Sequence, residues 1–169
     1  MEEKKTCCFF GHRKITGGEL LKEKLRTVLE DLIAQKNINV FLFGSKSEFD
    51  NLCREVLGEL KEKYPQIRRV YIRAEYRHIS EKYEKYLLES CDETYYAEKA
   101  INSGRAVYVL RNEEMIDKSD ICVVYHKDGY LPARRKNNKR ALVEFQPKSG
   151  TSVAYAYAMK KKKQILNLA

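Results

Sequence analysis

The chain opens by repeating one pattern twice: a short apolar run, a glycine, then a capped amphipathic stretch. Thr6-Cys7-Cys8-Phe9-Phe10 ends at Gly11, and Ile38 to Phe43 ends at Gly44. Neither run alternates with polar residues, which marks a strand buried on both faces. Such strands belong inside a sheet covered by helices above and below. After the first run, Thr16-x-x-Glu19 is a capping-box pattern, and Leu20, Leu21, Leu25, Val28, Leu29, Leu32 and Ile33 recur at helical spacing to about Gln35. After the second, Ser47-x-x-Asp50 leads a helix with Leu52, Val56, Leu57 and Leu60.

The rest of the chain continues the alternation. Pro65 closes the second helix, Ile67 to Ile72 reads as a third strand, and Tyr83 to Leu88 as a short helix. Ala106 to Met115 begins with strand formers, Val107-Tyr108-Val109, but Arg111-Asn112-Glu113-Glu114-Met115 does not continue a strand, so a helix is predicted. Ile121 to Tyr125 is a fourth strand, Thr151 to Lys160 the last helix, and Gln164 to Leu168 a fifth strand. The expected fold is α/β: a Rossmann-like three-layer sandwich with a mostly parallel sheet of about five strands. A length of 169 residues suits one domain over 1–169, carrying a basic loop at 127–148.

Composition narrows the setting. Hydrophobic residues make up 43% and charged residues 34%, which is globular rather than disordered. Cys7, Cys8, Cys53, Cys91 and Cys122 are odd in number and lack ligand-like spacing, so the expectation is a cytoplasmic chain with reduced thiols and no metal. His78 and His126 are lone histidines by spacing, which also argues against zinc. No signal-peptide core follows the charged start, and no apolar run approaches the roughly 18 residues of a membrane span. The net charge of +9 is concentrated late: Lys127, Arg134, Arg135, Lys136, Lys139 and Arg140 face only Asp128, and Lys160 to Lys163 adds a second run.

Ligands of open α/β sheets bind beyond the carboxyl ends of the strands, so three loops matter most. They are Gly11-His12-Arg13, Gly44-Ser45-Lys46 and the loop leading to Ser149-Gly150-Thr151. Glycine admits close approach to the backbone, Arg13 can fork onto a phosphate, and Ser45, Ser149 and Thr151 can donate to oxygen anions. At Ser149-Gly150-Thr151 a helix starts after a strand and a loop, where free N–H groups and the helix dipole favour phosphate. His12 reads better as a binding residue than as a general base. Asp50 either completes the Ser47 capping box or contacts ligand, and Phe49 is core or a base-stacking wall. Arg111 and Asn112 either line the site from a neighbouring loop or only hold the turn ahead of the fourth strand. Tyr155 and Tyr157 read as packing residues.

Taken in order, Gly11-His12-Arg13, Gly44-Ser45 with Phe49-Asp50, Arg111-Asn112 with Met115 and Ser119-Asp120, and Ser149-Gly150-Thr151 resemble the SLOG superfamily, most closely its YpsA-like branch. The resemblance runs nearly the whole length and implies a module that binds a nucleotide or nucleotide derivative, with no further cofactor. SLOG relatives include cytokinin-activating phosphoribohydrolases, DNA-processing A proteins and sensors of NAD-derived nucleotides. The enzymatic branch carries Pro-Gly-Gly-x-Gly-Thr-x-x-Glu, whereas this chain reads Pro147-Lys148-Ser149-Gly150-Thr151-Ser152-Val153-Ala154, with Ala154 in place of the glutamate. An N-glycosidase needs a carboxylate near the sugar. Asp50 is the best substitute, with Glu48 and Glu144 behind it.

The adopted reading is a cytoplasmic nucleotide sensor or regulatory module. Two alternatives stay open: a nucleotide-processing hydrolase using Asp50, and a single-stranded nucleic-acid binder using Lys127, Arg134, Arg135, Lys136, Lys139 and Arg140. The same basic loop serves the first reading if it closes over an anionic nucleotide. Domains of this kind also pair through exposed helices, so a homo-oligomer is compatible with the sequence.

Overall fold

The structure, a computed structural model, describes residues 3–103, 106–130 and 149–169. The chain forms β1 (Thr6–Gly11), α1 (Gly18–Ala34), β2 (Val40–Phe43), α2 (Glu48–Lys63), β3 (Arg68–Arg73), α3 (Glu81–Leu88), β4 (Glu93–Tyr96), α4 (Val107–Asp117), β5 (Ile121–Tyr125), α5 (Gly150–Lys160) and β6 (Gln164–Asn167). The six strands make one sheet in the order β4-β3-β2-β1-β5-β6, and every neighbouring pair is parallel.

Successive side chains of a strand point to opposite faces, and the apolar run of β1 uses both. Cys7 and Phe9 enter one core layer with Leu25 and Leu29 of α1, Val56 and Leu57 of α2 and Leu87 of α3. Cys8 and Phe10 enter the other, with Met115 and Ile116 of α4 and Ala154 and Ala158 of α5. On the first face Phe9 stacks on Phe43 at 4.8 Å between ring centroids. Burying a Leu or Phe side chain stabilises the fold by about 2 kcal/mol, so these layers hold the helices to the sheet. The alanines of α5 let that helix sit close to the strands. All five cysteines are free and buried, as small hydrophobes are.

The α/β architecture and the helix over Val107–Asp117 match the sequence reading. Two details differ. The sheet has six strands rather than about five, because Glu93-Thr94-Tyr95-Tyr96 forms β4. As a short edge strand, half-buried throughout, it lacks the apolar signature of an interior strand. The Thr16 capping box does not form: α1 is capped by Gly17 at φ 119°, without a side-chain hydrogen bond. Thr16 is drawn instead to Tyr125, whose Oη accepts from Thr16 N at 3.2 Å and shares a hydrogen bond with Thr16 Oγ1 at 3.1 Å.

Among the described residues no helix is long and apolar enough to cross a membrane.

Candidate functional site

From β1 the chain runs outward through β2, β3 and β4, then returns to the far side of β1 as β5. At such a reversal the post-strand loops diverge and open a crevice at the carboxyl edge of the sheet. Two histidines stand there, each one residue past a strand. Gly11 and Tyr125 are level in the β1–β5 register, and His12 N donates to Tyr125 O at 3.2 Å.

The His12 imidazole is wholly buried, at 0% exposure. Its Nε2 accepts from the backbone N–H of Lys127 at 2.8 Å. An acceptor Nε2 leaves the ring proton on Nδ1, so the neutral ring presents Nδ1–H as a donor. That atom is buried and has no partner among the described residues. Burial, with His126 nearby, pushes the His12 pKa below its ordinary value, which keeps the ring neutral.

His126 ties this crevice to the start of α5. Its Nε2 shares a hydrogen bond with Ser152 Oγ at 3.1 Å, and Ser152 Oγ meets Ser149 Oγ at 2.8 Å. The His126 ring stacks on Tyr155 at 4.5 Å, and its backbone exchanges two hydrogen bonds with the Asn167 side chain, at 3.1 and 2.9 Å. Ser149 caps α5 by accepting from Ser152 N at 3.0 Å. The N–H groups of Gly150 and Thr151, at the first two helical positions, have no acceptor among the described residues. Thr151 itself is buried.

One strand over, the mouth of β2 holds a second group. Asp50 Oδ2 accepts from Ser45 N at 3.0 Å and Ser45 Oγ at 2.9 Å, while Asp50 N is capped by Ser47 Oγ at 3.1 Å. The carboxylate therefore does not complete a capping box with Ser47; it holds the Ser45 turn. Asp50 is buried, and desolvation raises its pKa against the hydrogen bonds of Ser45 and the charges of Arg54 and Arg111. Arg111 and Asn112 lie within α4, neither in a loop nor in the turn before β5. The Arg111 guanidinium is buried against Gly44, and its Nε donates to Asn112 Oδ1 at 3.2 Å.

The glycines divide by role. A Cβ at Gly11 would lie 2.4 Å from the Phe49 ring, and one at Gly44 would lie 2.6 Å from Arg111 Nε. Both glycines are demanded by the protein's own side chains. Around Gly150 none of the described residues lies within 4 Å of such an atom, so none of their side chains demands this glycine. Phe49 is fully buried, a core residue rather than a stacking wall. Arg13 is exposed, and its guanidinium has no partner among the described residues. Glu48 braces the same loop through Ile15 N at 2.9 Å and Lys14 Nζ at 3.1 Å. Ala154 packs in the core under α5.

His12 is thus joined through His126 and Ser152 to Ser149 at the start of α5, while Ser45, Asp50 and Arg111 form a second group at the mouth of β2. Sequence reasoning missed His126 and Ser152. A usable signal was the histidine directly after each of two apolar strands. Of the basic segment, Lys127 turns its ammonium back onto Thr16 Oγ1 at 3.0 Å. Arg134, Arg135, Lys136, Lys139, Arg140, Glu144, Pro147 and Lys148 lie outside the described residues. No cluster of three or more His, Cys, Asp or Glu suited to a metal ion occurs among the described residues. A cleft of about 500 Å³ opens elsewhere, between α2 and α3, but Arg69 on its wall is already paired with Asp92.

Comparison of the sequence with protein-family models and with curated proteins finds no match.

Proposed function

We propose that the chain binds a nucleotide or nucleotide-derived small molecule in the crevice between β1 and β5, as a sensor or regulatory module. The observation that carries this reading is the Nδ1–H of His12, a buried donor without a partner among the described residues, on a ring linked through His126 to the start of α5. An unsatisfied buried donor costs free energy that a ligand oxygen would recover. The N–H groups of Gly150 and Thr151, without an acceptor among the described residues, suit a phosphate at the positive end of the helix dipole, and exposed Arg13 supplies a cation at the same edge. The resemblance to the YpsA-like branch of SLOG proteins supports the same ligand class. Asp50 Oδ2 holds Ser45, and Ala154 stands where the phosphoribohydrolase motif has its glutamate, which favours binding over N-glycosidase chemistry.

The test is calorimetry with adenine nucleotides, NAD and ADP-ribose. At least one should bind, and Arg13→Ala should weaken it by about tenfold, the loss of one charge-assisted contact. Absence of heat from the whole panel at millimolar concentration would overturn the reading.

A further inference from the structure

Tyr130 lies face to face on His12, with ring centroids 3.8 Å apart and planes within 12° of parallel. The other neighbours of the imidazole are firmly set. Lys127 N–H holds Nε2, Tyr125 stands edge-on at 6.2 Å, and His126 sits at 5.5 Å, itself stacked on Tyr155 and bonded to Ser152. Among the described residues Tyr130 has fewer anchors. Its N–H makes one long turn hydrogen bond, to Lys127 O at 3.3 Å, and it follows Gly129 at φ 78°, a left-handed conformation that glycine enters and leaves freely.

With Tyr130 in place the stack is satisfied, but the edge of the ring is not, since Nδ1 has no acceptor among the described residues. A ligand with a planar base and nearby sugar or phosphate oxygens would replace the stacking and add the missing hydrogen bond. We propose that His12 is the platform for the ligand's aromatic base and that Tyr130 occupies that platform in competition with it. This rests on the nucleotide reading above and adds a selectivity: a sugar phosphate without a base engages the oxygen-binding groups but does not displace Tyr130.

Calorimetry on the full chain with AMP and with ribose 5-phosphate tests it. Removing a competing ring should tighten AMP binding in Tyr130→Ala by about fivefold, the scale of one aromatic pair, with ribose 5-phosphate moving less than about twofold. Tyr130→Phe, which keeps the ring, should restore the wild-type AMP affinity. AMP affinity that is unchanged or weaker in Tyr130→Ala overturns the competition while leaving nucleotide binding standing. Equal tightening for both ligands overturns the base platform. If neither ligand binds wild type or variant, both readings fall together. Ligand-free, the His12 Cε1 proton should lose its ring-current shift in Tyr130→Ala by NMR, and an unmoved resonance overturns the stack itself.

Discussion

A side chain at Gly11 has no room, and the consequence is measurable. In Gly11→Ala the new Cβ would meet Phe49 at 2.4 Å from Cδ1, 2.6 Å from Cγ and 2.7 Å from Cβ, against 3.4 Å for ordinary contact. The ring would have to retreat by about 1 Å, the difference between the shortest of these distances and ordinary contact. Rotating the ring cannot relieve the clash, because Phe49 Cβ is itself too close, so the start of α2 must shift. Phe49 is wholly buried, and its ring also meets Tyr125 at 5.9 Å, so the shift spreads into the core. Overpacking of this kind costs about 2–3 kcal/mol, the upper part of the usual range. For a domain of this size that lowers Tm by about 5–10 °C. Urea unfolding followed by circular dichroism gives the free energy, and a thermal melt gives the shift. Adding Phe49→Leu should return about 1 kcal/mol or more as a coupling energy between the sites. Gly11→Ala within about 0.5 kcal/mol of wild type, the scatter of neutral substitutions, would refute the packing argument and return Gly11 to a ligand-facing role.

Gly150→Ala should do the opposite to stability, because its Cβ meets none of the described residues within 4 Å. A gain of about 0.4–1 kcal/mol is expected from the less flexible unfolded chain, with weaker AMP binding as the methyl crowds the helix start. Higher stability with unchanged affinity would remove phosphate from this position. Asp92 sets an acid limit. Burial alone would raise its carboxyl, but hydrogen bonds from Arg69 side chain and backbone and from Lys61 outweigh it and hold the pKa at about 2, against an ordinary 3.8. The stability it contributes is therefore complete above about pH 4 and is lost as pH falls toward 2. Asp92→Asn should cost about 1 kcal/mol at pH 7, well under the full linkage value because the side chain is a quarter exposed to screening solvent. Acid unfolding curves that stay parallel for wild type and variant between pH 4 and 2 would refute this assignment.

The interior strands and the helices were legible because their signals are local. The apolar run of β1 has to be covered on both faces wherever it folds, and Ser47 caps α2 through a hydrogen bond to a residue three places on. β4 carries no such signal, since Glu93-Thr94-Tyr95-Tyr96 holds no aliphatic run. The candidate site was legible in outline, because glycine and polar residues after apolar strands mark the carboxyl edge of a parallel sheet. Its inner arrangement was not. Gly11 answers to Phe49, Gly44 to Arg111, and Thr16 to Tyr125 rather than to its own helix.

Sequence by itself therefore determined the alternation of strands and helices, the covered parallel sheet, and which loops lie at its carboxyl edge. Only tertiary structure decided that His12 meets Lys127, Tyr130 and His126, because these residues come together solely through the pairing of β5 with β1. Local preference acts over a few residues, whereas the tautomer of His12 depends on a contact 115 residues away along the chain.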